Sequence, residues 1–286
     1  MVNRIIQHTR TIGVGSRIVF LDKFVFNPQM QTIDTQKLKP TDHFPMSQDE
    51  YKSSAPFYDR VLTPMLRTLR EDISTYINYR GYRSVIDICC GTGDQLQMLQ
   101  RPSMNLVGID SSSSMLDIAK KRCPEQVELH LLDAQQLQPP REPFDCALLV
   151  FSLHEKHATI RDQIFANARR MVRQGGSLII ADYSGIADGM KGTLIGSVLT
   201  PLIERCAGKE HYRNYVDWRE RGALEGFLDH HGLVVDVISR PYAQTVLCCA
   251  FTVNDDKEEF SRHLALLNHS LKPGATQPET AHEKES

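Results

Sequence analysis

The chain has 286 residues, of which 41% are hydrophobic, and its formal net charge at pH 7 is −2. This length allows one substantial buried core with further segments at the ends. The small net charge gives no electrostatic footprint for nucleic acid binding, and no apolar run reaches the roughly 18 residues that a transmembrane helix needs.

Residues 1–48 are predicted to form an N-terminal extension that is partly flexible. Residues 1–21 contain Arg4, Arg10 and Arg17 without any acidic residue, as a mitochondrial presequence would, but they are poor in serine. Residues 27–48 are polar and interrupted by proline, which indicates a linker. We expect a cytoplasmic protein, with the mitochondrial matrix as the alternative if the chain is eukaryotic.

A helix is predicted next, from apolar residues at helical spacing between Val61 and Ile73. The chain then alternates between strand and helix patterns, which predicts a parallel sheet with helices on both faces. Gly175-Gly176 is expected to cap the last of these helices. The predicted elements are strand 84–89, helix 94–100, strand 105–110, helix 113–122, strand 127–132, strand 144–151, helix 157–173 and strand 176–182.

The last part of the chain is predicted to close the sheet with a hairpin. After an insertion at about 184–218 come helix 219–231 and strands 233–239 and 244–253. The connection around Pro241 is too short for a crossover helix, so these strands must pair antiparallel. Residues 255–286 are charged and polar, and are expected to be a tail that is partly disordered.

The seven cysteines indicate a reducing compartment rather than a disulfide framework. Cys89-Cys90 and Cys248-Cys249 are adjacent pairs inside predicted strands, where neighbouring side chains point to opposite faces. No pair has the spacing of zinc ligands. We expect most of these cysteines to be buried thiols.

The most informative stretch is the end of the first predicted strand. A run of β-branched residues leads to Asp87, and the turn Cys89-Cys90-Gly91-Thr92-Gly93 then opens onto a helical pattern. A strand that feeds a glycine turn and a helix N-terminus presents its backbone to a nucleoside-type cofactor.

The residues after this turn disfavour a dinucleotide. The third position of the dinucleotide fingerprint should be small, but here it is Leu96, and Asp94 would repel a pyrophosphate at the helix N-terminus. A cationic cofactor without phosphate, such as S-adenosylmethionine, fits these residues better.

The stretch from Asp87 to Asp94 resembles the first motif of the class I S-adenosylmethionine-dependent methyltransferases, in the D-x-x-C-G-T-G-D form typical of the ubiquinone and menaquinone-biosynthesis C-methyltransferases. The stretch from Gly108 to Leu116 is similar to the family's G-x-D-x-S-x-x-M-L. The resemblance covers about residues 50–253. It implies an α/β fold: a Rossmann-like, seven-stranded, mostly parallel sheet that ends in an antiparallel hairpin, forming a methyltransferase domain at 49–254.

The resemblance also implies a set of cofactor residues. Asp110 binds the ribose hydroxyls and Asp133 meets the adenine amino group, although Asp133 could instead stabilise its own loop. Tyr58 closes over the cofactor, or alternatively only packs its helix against the sheet. The other candidates for cofactor contact are Asp87, Cys89, Gly91, Gly93, Ser111, Met115, Ala134 and Phe151.

Candidate catalytic residues follow the fourth strand and the insertion. His154 stands at the carboxyl edge of the sheet, where ligands of open α/β sheets bind, and is the predicted general base; the alternative is a helix-capping or solvated role. One of His211 and Tyr212 is expected to contact the substrate, unless this segment is a surface connection. Asp182 and Tyr183 end the fifth strand at the same edge.

The insertion has apolar residues on one predicted helical face, with a kink expected at Pro201: Leu194, Ile195, Val198, Leu199, Leu202 and Ile203. We expect this stripe mainly to pack on the domain core, with part of it roofing an apolar substrate pocket.

The sequence therefore predicts in-line methyl transfer to a small aromatic or apolar molecule, without a metal and without a nucleic acid partner, and leaves a homodimer open. The Ser152–Glu155 and His211–Tyr215 stretches differ from those expected of the quinone enzymes, so other acceptors stay open. The alternatives are an inactive S-adenosylmethionine-binding sensor or complex subunit and, less favoured because of Leu96, a nicotinamide-dependent oxidoreductase.

Overall fold

The computed structural model of the chain describes residues 66–254. The expectations for Tyr58, for the extension 1–48 and for the tail 255–286 therefore lie outside the described residues. None of the helices between residues 66 and 254 combines the length and apolarity needed to cross a bilayer.

The described residues form one seven-stranded sheet, in the order β3-β2-β1-β4-β5-β7-β6. The pairs among β1 to β5 are parallel, whereas β7 pairs antiparallel with both β5 and β6, which confirms the predicted closing hairpin. The strands are β1 Ser84–Ile88, β2 Asn105–Asp110, β3 Val127–Leu131, β4 Phe144–Val150, β5 Val172–Tyr183, β6 Asp236–Ser239 and β7 Val246–Thr252.

Helices cover both faces of this sheet. Because strand side chains alternate, Val85 belongs to a core cluster with helices α1 and α2, and Ile86 to a second cluster with α4 and α8. The same alternation places Cys248 and Cys249 in different clusters. The helices are α1 Arg67–Tyr79, α2 Asp94–Leu99, α3 Ser113–Arg122, α4 Ala158–Arg170, α5 Gly189–Leu194, α6 Thr200–Ala207, α7 Lys209–Glu220 and α8 Ala223–His230.

The expected helix cap at Gly175-Gly176 is wrong. Helix α4 ends at Arg170, and strand β5 already begins at Val172. Gly176 is needed because β4 approaches closely: a Cβ at this position would lie 2.5 Å from the backbone oxygen of Asp145. The pairing of β4 with β5 shifts register at this point.

The insertion is almost entirely helical. Helix α5 passes through a π-helical turn, Ile195–Leu199, into α6, whose first turn contains Pro201. Proline lacks the N–H that a regular helix requires, so the irregular turn lies where the sequence predicts a kink. The predicted helix 219–231 is wrong as a single element, because Gly222 has a φ of 89° and separates α7 from α8.

The apolar stripe of the insertion does not mainly pack on the core. Leu194, Val198 and Leu202 are 60%, 58% and 59% exposed. Ile195 and Ile203, in contrast, line a cavity over the sheet. The expectation of a core-packed stripe is therefore wrong, while the cavity-roofing part of the prediction agrees with the structure.

Candidate active site

A cavity of about 240 Å³ lies at the carboxyl ends of β1, β2 and β4. From β1 the sheet is extended by β2 and β3 on one side, and then by β4 and β5 on the other side. The cavity therefore lies at the point where the strand order reverses, which is where open α/β sheets bind ligands. Most of the predicted site residues line it: Asp87, Cys89, Gly91, Asp110, Ser111, Met115, Phe151, His154 and His211.

The glycine turn is joined directly to the end of β2. The Gly91 N–H donates to Asp110 Oδ2 at 2.8 Å, and the Ser112 N–H donates to Asp110 Oδ1 at 2.8 Å. Gly91 has a φ of 54°, a conformation that favours glycine. These two hydrogen bonds hold the Asp110 carboxylate at the cavity wall.

Gly93 acts in packing rather than in lining the cavity. It begins α2 with a φ of 76°, and a Cβ there would lie 2.8 Å from Cys123 Sγ and 3.1 Å from Ala119 Cβ. Glycine at this position therefore lets α2 and α3 approach each other beneath the turn.

Asp87 is a buried carboxylic acid facing the cavity, with 3% of its surface exposed. Burial raises its pKa to about 7; the neighbouring Asp110 adds to this shift, and Arg70 opposes it. Burial also raises the pKa of Asp110, although the Ser112 and Gly91 N–H groups oppose that shift. A cation bound between these acids would favour their charged forms.

A network of ion pairs, which has no local signature in the sequence, stabilises the glycine turn. Asp94 Oδ1 lies 2.7 Å from Arg122 Nη1, and Asp94 Oδ2 lies 3.1 Å from Arg70 Nη2. Arg122 also donates to the backbone oxygen of Thr92 at 2.9 Å. Asp94 is thus a structural anchor of the turn as well as a cavity-lining group. No local pattern pairs Arg70 with Arg122, since they belong to different helices.

Cys89 and Phe151 occupy equivalent places at the ends of β1 and β4. Both have positive φ values, 64° and 51°, which are uncommon for residues other than glycine. Such strain concentrates at functional sites. Here it turns the chain sharply at the two strand ends on either side of the switch point, and the Phe151 ring packs edge-on against Tyr183.

Two predicted residues at the end of β3 stand apart from the cavity lining. Asp133 accepts a 2.8 Å hydrogen bond from the Gln135 N–H and begins a short 3₁₀ turn that contains Ala134. The alternative role of Asp133, stabilising its loop, agrees with this geometry. Contact of Asp133 and Ala134 with adenine stays a prediction.

His154 follows β4 and is buried between two carboxylates. Its Nδ1 lies 2.8 Å from Asp182 Oδ1, and its Nε2 lies 3.5 Å from Glu204 Oε2. Burial alone would lower the pKa of His154, but Asp182 and Glu204 outweigh burial and hold that pKa well above its usual value. Their interaction also lowers the pKa of Glu204 despite its burial. In this arrangement His154 holds a proton and is a poor general base.

Glu204 was not predicted from the sequence. It comes from α6 in the insertion at about 184–218, which we call the lid. Its Oε1 accepts a 2.7 Å hydrogen bond from the Tyr183 hydroxyl, and its Oε2 lies 2.6 Å from His211 Nε2. His211, in the first turns of α7, lines the cavity as predicted. Tyr212 does not line the cavity. The Cζ atom of Arg205 stacks over its ring, 4.7 Å from the ring centroid.

Arg161 fixes α7 against the loop that carries His154. Its guanidinium donates to the Leu153 backbone oxygen at 2.9 Å, to Asp217 at 2.9 Å and to the Asn214 backbone oxygen at 2.7 Å. A buried arginine satisfied in this way orients rigid elements. It brings His211, which is distant in sequence, next to His154.

These features define a class: a Rossmann-like fold with a glycine turn and two acids at the ends of the first two strands. Residues 85–176 match the methyltransferase domain family. Over this region the chain is similar to the class I S-adenosylmethionine-dependent methyltransferases, and in particular to the ubiquinone and menaquinone-biosynthesis C-methyltransferases.

Particular relatives agree with this class. The chain is 31% identical over 113 residues to the ubiquinone/menaquinone biosynthesis C-methyltransferase UbiE of Hahella chejuensis, which covers 37% of this chain and 45% of that protein. It is 33% identical over 100 residues to the demethylmenaquinone methyltransferase of Thermotoga maritima, covering 34% and 42% of the two chains. The chain thus spans less than half the length of these curated relatives in the regions that match.

Solved structures share the fold. The plantazolicin methyltransferase BpumL, in complex with a pentazolic analogue and S-adenosylhomocysteine (SAH), superposes with a TM-score of 0.53 at 17% identity, covering 73% of this chain and 94% of that one. An O-methyltransferase family protein from Burkholderia thailandensis gives 0.51 at 19% identity, covering 71% and 60%. At these identities the likeness concerns the fold.

Proposed function

We propose that this protein transfers the methyl group of S-adenosylmethionine to a small aromatic or apolar molecule. The observation that carries the proposal is the hydrogen bond between Gly91 and Asp110 at the switch point, with Asp87 buried beside it. This arrangement supplies carboxylates for a ribose and an ammonium group, and the N-terminus of α2, where a pyrophosphate would bind, carries the Asp94 carboxylate instead.

On the cofactor side, each acid has a separate role. Asp110 accepts hydrogen bonds from the ribose hydroxyls with the lone pairs that its backbone donors leave open. Asp87 faces the ammonium group of the methionine moiety. Ser111, Met115 and Phe151 also line the cavity. In the proposal, Asp133 and Ala134 contact the adenine.

Methyl transfer is a displacement at carbon in which acceptor, methyl and sulfur lie in line. The acceptor's electron pair forms the new bond to the methyl carbon, the sulfur–methyl bond breaks, and its electron pair stays on sulfur, giving a neutral thioether. The displacement itself needs neither a covalent intermediate nor a metal. The protein must align the partners, exclude water and take the proton that the acceptor loses.

The acceptor binds under the lid in this proposal. Ile195, Leu199 and Ile203 supply apolar surface above Phe151 and Tyr183. Such a lining suits a phenol or hydroquinone ring, and the quinone-related names of the relatives point the same way. Other hydroxyl-bearing aromatic acceptors fit this lining equally well.

The acceptor's proton passes to a cluster rather than to His154 alone. His154 and His211 both contact Glu204 Oε2, at 3.5 and 2.6 Å. A proton that reaches His211 is stabilised by the Glu204 carboxylate, which His154 also contacts. His154 and His211 are the proposed catalytic residues, with Tyr183 and Asp182 holding the cluster in place.

Two measurements test the proposal. Calorimetry with SAH should show one binding site, and a titration with NADH should show none. Release of SAH is then measured against phenols, hydroquinones and thiols as acceptors. Cofactor binding without release on any acceptor would favour the sensor or complex-subunit alternative, and NADH binding would favour the oxidoreductase.

The remaining parts of the proposal concern the protein's surroundings. We place it in the cytoplasm, acting on a small molecule rather than on nucleic acid. Light scattering on the eluting peak of a sizing column decides between monomer and homodimer.

A further inference from the structure

Three side chains from separate elements converge at the lid end of the cavity. One candidate ligand atom from each of His154, Glu204 and His211 lies within 4.8 Å of those of the other two residues. Tetrahedral ligands at about 2.0–2.2 Å from a zinc ion would be roughly 3.3–3.5 Å apart. The 3.5 Å between Glu204 Oε2 and His154 Nε2 matches that value. The 2.6 Å between Glu204 Oε2 and His211 Nε2 is shorter, so these two atoms would move apart by about 1 Å or less when an ion binds.

Two of these atoms are buried without a satisfactory partner. Glu204 Oε2 and His211 Nε2 have no hydrogen bond of acceptable geometry, although they lie close together. Their side chains are 3% and 9% exposed. Buried polar atoms are normally satisfied, so this pair points to a missing ligand that both atoms would contact.

The contacts behind the three ligands are those that orient metal ligands. Asp182 Oδ1 is 2.8 Å from His154 Nδ1, which leaves Nε2 directed at the cluster. Tyr183 donates to Glu204 Oε1 and leaves Oε2 for the ion. Glu155 Oε2 lies 3.8 Å from His211 Nδ1, which is within ion-pair distance but too long for a direct hydrogen bond. Carboxylates that hold the second nitrogen of a ligating histidine recur in metal sites.

We propose that His154, Glu204 and His211 bind one divalent transition-metal ion of the zinc type. Two imidazoles and one carboxylate are a donor set that suits zinc and its neighbours rather than magnesium or calcium, which prefer oxygen. Three protein ligands leave a coordination position for a further ligand, and all three side chains line the cavity. The inference departs from the expectation, made from the sequence, that no metal takes part.

The role of the ion rests on the proposed function. The open position would take the hydroxyl oxygen of the acceptor, and the ion would stabilise its deprotonated form. With the ion bound, the hydroxyl proton would go to solvent instead of to the histidines. The acceptor's electron pair would form the bond to the methyl carbon, and the sulfur–methyl bond would break with its electron pair staying on sulfur. No electrons are gained or lost by the ion in this step.

Metal binding is measured on the full chain after treatment with a chelator and removal of that chelator. Titration with Zn²⁺ by calorimetry, and with Co²⁺ by visible absorption, should each show one site. His211→Ala should weaken binding by more than about 100-fold, and Asp182→Asn by roughly 10–100-fold. Glu204→Gln keeps the size and the Tyr183 hydrogen bond, and should also weaken binding.

A surface triad supplies the matched control. Asp162, His230 and His231 are the other such group within residues 66–254, and Asp162 is 47% exposed. His230→Ala should leave the stoichiometry and affinity unchanged. If Zn²⁺ binding is absent, or if it survives both His211→Ala and Glu204→Gln, the metal site is wrong.

The failure of the metal site can be told apart from failure of the methyltransferase proposal. Asp110→Ala should lose SAH affinity but keep the Co²⁺ spectrum, whereas His211→Ala should do the reverse. Circular dichroism of each variant checks that it is folded. A chain that binds SAH and methylates an acceptor at full rate after metal removal would overturn the catalytic role of the ion alone.

Discussion

The backbone N–H of Gly91 donates to the carboxylate of Asp110 at 2.8 Å, and so ties the turn after β1 to the end of β2. The acid that is proposed to hold the ribose is thereby oriented before any cofactor arrives. Preorganisation of this kind lowers the entropy cost of binding.

Asp110→Ala should weaken binding of SAH by about tenfold or more, because hydrogen bonds to a charged group contribute about 1.5–3 kcal/mol. Calorimetry measures the change. Asp117→Ala, on the exposed side of α3 and 67% exposed, is the control and should leave affinity unchanged. An unchanged affinity in Asp110→Ala would remove Asp110 from the cofactor site.

Cofactor affinity should depend on pH through Asp87, whose pKa is raised to about 7 by burial. The carboxylate must be ionised to hold an ammonium group, and the free protein protonates it below pH 7. Affinity for SAH should therefore fall by up to about tenfold per pH unit between pH 7 and 5, where the ammonium group stays charged. Calorimetry across this range measures the slope.

Asp87→Asn tests the origin of that slope. The variant has no titrating group at this position, so its affinity should be lower at pH 7 and nearly independent of pH. A wild-type slope that persists in Asp87→Asn would assign the titration to another group.

His154→Asn should lower turnover by about 100-fold, because it removes one imidazole of the cluster proposed to take the acceptor's proton, and general acid–base contributions are typically 10²–10⁴-fold. The asparagine amide keeps a donor beside Asp182, which limits the cost of leaving that buried carboxylate unpaired. SAH affinity should change by less than about twofold, because His154 lies toward the lid. His157→Ala, at the exposed start of α4, is the control. Full turnover in His154→Asn would place the proton transfer elsewhere.

Gly108→Ala should destabilise the fold through Leu96. A methyl group on Gly108 would lie 2.5 Å from Leu96 Cδ1 and 2.8 Å from Leu129 Cδ2. Overpacking of this kind costs about 1–3 kcal/mol and should lower Tm by several degrees. Thermal unfolding followed by circular dichroism measures it.

The double variant Gly108→Ala with Leu96→Ala should lose less stability than the sum of the two single losses, because the alanine at position 96 makes room for the new methyl group. Gly196→Ala is the control, since its new methyl would meet Thr245 only at 3.5 Å. Additive losses in the double variant would contradict direct packing between Leu96 and Gly108.

The sheet and the turn could be predicted because their signals are local. The run into Asp87 and the glycines after it identify a strand, a turn and a helix start without any distant partner. The hairpin followed from the short connection at Pro241. Gly176 was misassigned because the close approach of Asp145 leaves no trace in hydrophobic periodicity.

Glu204 shows why the acceptor side could not be derived in the same way. Its side chain reaches His154 and His211 only because Arg161 holds α7 against the loop after β4, and these contacts join elements far apart in sequence. Asp94 was expected to act only through repulsion, and its anchoring between Arg70 and Arg122 likewise needs three helices in place. Local sequence patterns carry no information about side-chain contacts between elements that are far apart in the chain.

The π-helical turn Ile195–Leu199, which is wider than a turn of α-helix, sets how far α6 is rotated about the helix axis relative to α5. Each residue of a helix advances by about 100°, so one residue added or removed there would swing α6 by that angle and carry Glu204 away from His211. Lid length is thus specified to a single residue. A chimaera that grafts this lid onto another methyltransferase scaffold must keep the wide turn intact.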